Sequence, residues 1–108
     1  MTNQLFTEQE LNAMRDNLLS TFKTRYSETS YLYTRGGDVV GLECTCCLTG
    51  PMSDIRIRFK LCNTKTATVK VFFGDEILAC DHDAIRINEP QDFITFVKIN
   101  IERAMQHI

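Results

Sequence analysis

No run of apolar residues in this chain approaches the roughly 18 that a membrane-spanning helix needs. The opening Met1-Thr2-Asn3-Gln4 has neither the positive flank nor the apolar stretch of a secretory leader. A soluble, cytoplasmic protein with no membrane partner is therefore expected. An excess of one charge is lacking as well. Twelve Lys and Arg against 14 Asp and Glu leave a formal net charge of -2, which argues against a generally basic nucleic-acid coat protein. Tryptophan is absent, and the five glycines fall in or beside expected strands and turns. Neither a P-loop nor a dinucleotide-binding glycine motif is present, so no nucleotide cofactor is expected. The five cysteines, at 44, 46, 47, 62 and 80, are odd in number and irregular in spacing. They cannot form a complete intramolecular disulfide framework and fit reduced thiols in a reducing compartment. No internal repeat, low-complexity tract or linker interrupts the chain. With 108 residues and 44% apolar content, a single domain over residues 1–108 is expected, large enough to bury about two thirds of its unfolded surface.

What is present divides into helix, strands and helix. Thr7 and Glu10 have the spacing of a capping box, and Phe6 and Leu11 that of a hydrophobic staple. Leu11, Met14, Leu18, Leu19, Phe22 and Tyr26 then recur at helical spacing, which predicts a first helix from Thr7 to about Tyr26 or Ser27. From Tyr31 the period becomes two. Gly36-Gly37 suits a two-residue hairpin with positive φ at both positions, joining a strand at Tyr31–Arg35 to one beginning at Asp38. In the next runs Val40, Leu42, Cys44, Cys46 and Leu48 share one face, then Ile55, Ile57, Phe59 and Leu61, then Ala67, Val69, Val71 and Phe73. A fifth strand is expected from Glu76 to about His82. After Asn88-Glu89-Pro90, a capping and first-turn signal, Phe93, Ile94, Val97, Ile101, Ala104, Met105 and Ile108 fall on one face of a last helix, with Ile99 outside it.

These elements imply an α+β fold in two layers: an antiparallel five-stranded meander with an N-terminal and a C-terminal helix packed on one face, in the order α-β-β-β-β-β-α. Placing Leu48 opposite Ile55 and Leu61 opposite Ala67 keeps the apolar residues together. The same register puts Glu43 opposite Lys60, Arg58 opposite Lys70, and Phe72 opposite both Arg56 and Ile77. The outer face then carries Arg56, Arg58, Lys60 and Lys70 with an apolar margin of Phe72, Ile77 and Ala79. A solvated sheet face would look similar, but charge beside exposed apolar area also marks contact surfaces.

Two constellations could carry chemistry. Cys44-x-Cys46 and Cys80-x-His82 supply four zinc-type ligands. In the meander the two pairs stand three strand spacings apart, about 14 Å, against a zinc–sulfur bond of roughly 2.3 Å, so core thiols are the expectation and no metal is assigned. Cys80 and His82 as nucleophile and base lie about 7 Å apart along a strand, beyond hydrogen-bond reach. Arg15 falls within the first helix's apolar arc, where a snorkelling side chain is expected.

With no catalytic set in view, the leading expectation is a non-enzymatic protein-interaction module, an inhibitor, adaptor or chaperone-like regulator. It would bind another protein through Arg56, Arg58, Lys60, Lys70, Phe72 and Ile77. A homodimer burying Phe72 and Ile77, or Ile99, is a variant. The alternatives are nucleic-acid binding on the same basic face, with Phe72 stacking on a base, and a small ligand-binding or enzymatic domain using Cys44, Cys46, Cys80, His82 and Arg15.

Overall fold

The computed structural model describes residues 5–107, and of residues 81–84 the backbone alone. In chain order the elements are α1 (Glu8–Thr21), β1 (Tyr26–Tyr33), β2 (Val39–Cys47), a short 3-10 turn (Gly50–Met52), β3 (Ile55–Cys62), β4 (Thr66–Phe73), β5 (Glu76–Arg86) and α2 (Pro90–Met105). The strands pair antiparallel in the order β1-β2-β3-β4-β5. Both helices cover one face, α1 over β2 and α2 over β4 and β5. The expected α+β meander is present, with a helix at each end of it.

The capping box starts α1 as its sequence requires. The Glu10 N–H donates to Thr7 Oγ1 at 3.1 Å and the Thr7 N–H donates to Glu10 Oε1 at 2.9 Å, satisfying two amides that no helical carbonyl reaches. The helix ends a turn early. Phe22 is its C-cap, and Lys23 takes a left-handed conformation with φ +51°, after which the chain reverses and Tyr26 opens β1. Tyr26 thus belongs to the sheet and not to the helix. The longer β1 pairs Tyr26 with Cys47 and Thr29 with Cys44, giving partners to backbone groups of β2 that a strand starting at Tyr31 would leave unmatched. The β1–β2 connection also differs from a two-residue hairpin. It runs over residues 34–38, closed by the Thr34 N–H donating to Asp38 O at 2.9 Å, and of the paired glycines Gly37 alone has positive φ, +89°.

From β2 to β4 the register is the expected one. Cys46 lies opposite Ile57, Cys44 opposite Phe59 and Leu42 opposite Leu61, then Phe59 opposite Val69 and Ile57 opposite Val71. All of these side chains are buried. Phe59 meets Phe93 of α2 edge-on with ring centroids 5.1 Å apart, joining sheet and helix. In α2 the buried stripe is wider than the expected one. Phe96 and Asn100 join it, with Asn100 Nδ2 donating to Phe96 O at 3.0 Å, while Met105 is exposed and Ile108 lies outside the described residues.

β5 departs most. It continues to Arg86, and its register against β4 shifts twice. Phe72 pairs with Ile77 but Val71 pairs with Ala79, so Leu78 is the extra residue of a bulge. Beyond it Ala79 and Cys80 swap faces relative to uninterrupted alternation. Ala79 joins the core side, which removes it from the outer apolar margin, and Cys80 lies opposite Lys70 on the outer face instead of pointing into the core.

Candidate functional site

The helix-free face of the sheet collects the residues that sequence periodicity singles out. Alternation along β3 buries Ile55, Ile57, Phe59 and Leu61 and turns Arg56, Arg58 and Lys60 outward. Arg56 sits opposite Phe72 and Arg58 opposite Lys70, with Glu43 opposite Lys60 and Ile77 opposite Phe72.

Phe72 is not a naked ring on this face. It is 8% exposed, because the guanidinium carbons of Arg56 and Arg58 lie 4.9 and 5.5 Å from its centroid. Both distances fall within cation–π range. The aromatic face stabilises two cations that would otherwise repel each other and fixes where their N–H edges point. Arg58 Nε donates to Thr45 Oγ1 at 3.3 Å. Arg56 Nε is buried and has no hydrogen-bond partner among the described residues. Nor does any of Arg56, Arg58, Lys60 and Lys70 form an ion pair among the described residues, although Glu43 and Lys60 occupy opposed positions. Ile77 remains half exposed beside this cluster, at 50%.

A groove of ≈ 390 Å³ opens on the same face. Arg56 and Arg58 of β3 line it together with Glu28 of β1 and Glu43 of β2; Tyr26, Ser30 and Thr45 complete the lining. The Tyr26 hydroxyl donates to Glu28 Oε2 at 2.9 Å, and that bond to a carboxylate raises the phenol's pKa above its ordinary value. Tyr26, Glu28 and Ser30 fall outside the expected site because helical spacing extends the first helix to Tyr26 or Ser27 and the period-two pattern begins at Tyr31. Their own alternation, continued by Leu32, was the available signal.

On the helix-covered face a polar cluster lies between α1 and β1. Arg15 does not snorkel freely. Its Nη1 donates to Tyr31 Oη at 3.1 Å and to Thr29 Oγ1 at 3.3 Å, and its Nη2 lies 3.0 Å from Asp16 Oδ1. Burial works to lower the guanidinium pKa, and Asp16 and Tyr31 together outweigh it and raise it. The Tyr31 hydroxyl in turn donates to Asn12 Oδ1 at 2.7 Å. Burial pushes the Cys44 thiol up, against the opposing pull of Thr29 and Arg15, and pushes Cys46 up to about 12. Both thiols are held protonated, the reverse of what a nucleophile or thiolate ligand requires.

The four zinc-type ligands are not brought together. Cys44 and Cys46 lie under the helices, Cys80 lies on the opposite face beside Lys70, and the side chain of His82 is outside the described residues. Among the described residues no group of three or more His, Cys, Asp and Glu is placed to hold a metal ion, no disulfide joins the five cysteines, and no helix is long and apolar enough to cross a membrane.

Comparison with models of known families, with curated proteins and with solved structures found no match.

Proposed function

We propose that the chain is a non-enzymatic protein-interaction module, an inhibitor, adaptor or chaperone-like regulator acting in the cytoplasm. It binds a carboxylate-bearing segment of another protein across the outer sheet face. The observation that carries this reading is the pair of guanidiniums seated on Phe72, with a buried Arg56 Nε that has no partner among the described residues. Guanidinium forks take carboxylates bidentately, and forks already positioned by stacking lose less rotamer freedom on binding than free arginines do. Lys60 and Lys70 add positive potential along the same strands, and Ile77 supplies an apolar contact at the margin.

Nucleic-acid binding through a base stacked on Phe72 is less well supported, because that ring is already covered. Amide spectra of the ¹⁵N-labelled protein, titrated with a Glu-rich peptide and separately with a single-stranded oligonucleotide, test the reading. The peptide is expected to shift amides of β3 and β4, and the Arg56→Glu, Arg58→Glu double variant to abolish the shifts. Tighter binding of the oligonucleotide, lost steeply with added salt, or no response to the peptide at millimolar concentration, overturns the proposal.

A further inference from the structure

The sheet has two edges, and they are built differently. β5 carries Glu76, Asp81, Asp83 and Arg86 along its length and meets β4 through two register shifts. Charge and bulges of this kind are how edge strands are kept from pairing with other chains. β1 has neither lysine nor proline, and Glu28 is its one charged residue. Its pairing with β2 is regular from Tyr26 through Leu32, with the irregularity only at Leu32/Tyr33. As the edge strand of the sheet, β1 turns backbone donors and acceptors outward along its regular stretch, with no further strand beside it among the described residues.

We propose that β1 pairs antiparallel with β1 of a second copy about a two-fold axis at Thr29, joining two five-stranded sheets into one of ten strands. The choice of axis follows from register. Directly opposed residues in an antiparallel pair point to the same face, so a two-fold pairing must centre on a residue and not between two. Centring on Glu28 would set two carboxylates against each other, which is destabilising. Thr29 is the midpoint of the regular stretch Tyr26–Leu32, and centring there uses all of it. Thr29 then opposes Thr29, Glu28 opposes Ser30, Ser27 opposes Tyr31, and Tyr26 opposes Leu32. No like charges meet within the strand pair, the Arg15 guanidinium bonded to each Thr29 being paired with Asp16 of its own copy, and Tyr26, 52% exposed in the monomer, gains an aliphatic neighbour.

The helices permit this approach. Because α1 packs chiefly over β2 and reaches β1 through the side chains of Asn12 and Arg15, the axes of the two α1 helices of the pair are separated by about three strand spacings, about 14 Å. A helix with its side chains is roughly 10 to 12 Å across. The seam between them is lined by Asn12, Arg15 and Tyr31 of each copy, already bonded to one another. The pairing also places both outer faces on one side of a continuous surface. Two arginine grooves then face the same way, as a bivalent ligand or a repeated segment would require.

Sedimentation equilibrium and hydrogen exchange test the proposal through Ser30, whose side chain is exposed on the outer face. The wild-type chain is expected to sediment at twice its 12.4 kDa, with β1 amides protected in a concentration-dependent way. Ser30→Glu puts a carboxylate opposite Glu28 at two symmetric positions and is expected to weaken the dimer about tenfold. Ser30→Lys faces Glu28 instead and is expected to strengthen it. Thermal unfolding of each variant separates loss of pairing from loss of fold. A monomer at millimolar concentration, or a dimer insensitive to both substitutions with β1 amides unprotected, overturns the assignment.

Discussion

On β3, Ile55, Ile57, Phe59 and Leu61 face the two helices and are almost wholly buried, while Arg56, Arg58 and Lys60, each one residue along, turn to the side without helices. The same strand, register and twist serve both faces. On the covered face each cross-strand neighbour is another apolar side chain, and burial rewards the pairing at roughly 25 cal/mol per Å². On the open face Arg58 lies directly opposite Lys70, a pairing that costs stability. Its repulsion is offset only in part by the Phe72 ring and by Thr45. The contrast separates what holds the fold from what is available to bind. The covered face is expected to set the stability, and the open face, on the proposed reading, the binding.

The comparison breaks most visibly on the covered side. Phe59→Ala, removing a ring packed on Phe93, is expected to cost about 3 to 5 kcal/mol by urea denaturation. A loss below about 1 kcal/mol would show that the core does not depend on the sheet–helix contact.

Alkaline pH probes the same face through Cys46. Its folded pKa, about 12, lies above the ordinary 9.0 because burial disfavours the thiolate. A raised folded pKa gives stability that is intact below the unfolded value and is lost as pH climbs toward the folded one. Wild-type stability should therefore fall between about pH 9 and 12 more steeply than that of Cys46→Ala. The difference in slope approaches about 1.4 kcal/mol per pH unit. Parallel curves would mean that the thiol is not desolvated.

Gly41 of β2 lies opposite Leu32 of β1 and Cys62 of β3. A Cβ there would meet Leu61 O at 2.6 Å and Leu32 Cδ1 at 3.2 Å. Gly41→Ala is expected to cost about 1 to 3 kcal/mol by forcing the strands to shift, and an unchanged midpoint would place β2 farther from β3. The smallest effect belongs to the open face. Lys70→Glu replaces a repulsive cross-strand pair with an attractive one and is expected to raise stability by no more than about 1 kcal/mol. In the same experiment it should weaken binding of the Glu-rich peptide, and a gain in peptide affinity would contradict the proposed role of the basic stripe.

The central register was legible in advance because β2 from Gly41 onward pairs with β3, and β3 with β4, without a register shift, and burial of one face leaves a single consistent alignment. Arg56, Arg58, Lys60, Lys70, Phe72 and Ile77 could be placed on one face for that reason. The edges were less legible for physical reasons. Phe22 and Tyr26 are four residues apart, a helical spacing, and only the left-handed turn at Lys23 separates them. At β5 a single extra residue, Leu78, reverses the facing of Ala79 and Cys80, so Cys80 lies on the outer face while Ile77 keeps its expected side. The seating of two guanidiniums on one ring needed side-chain positions that opposed pairs alone do not define.

The thiols have a use that their inertness makes possible. Cys47 and Cys62 are half-buried, while Cys44 and Cys46 are shut beneath the helices near the middle of the sheet. A thiol-labelling reagent should mark the first pair on its own chemical timescale and the second pair only during openings that strip the core. When reclosing outpaces labelling, the ratio of the two rates reports the opening equilibrium directly. The chain thus carries its own internal clock for folding, readable in native buffer by mass spectrometry without denaturant or added probe.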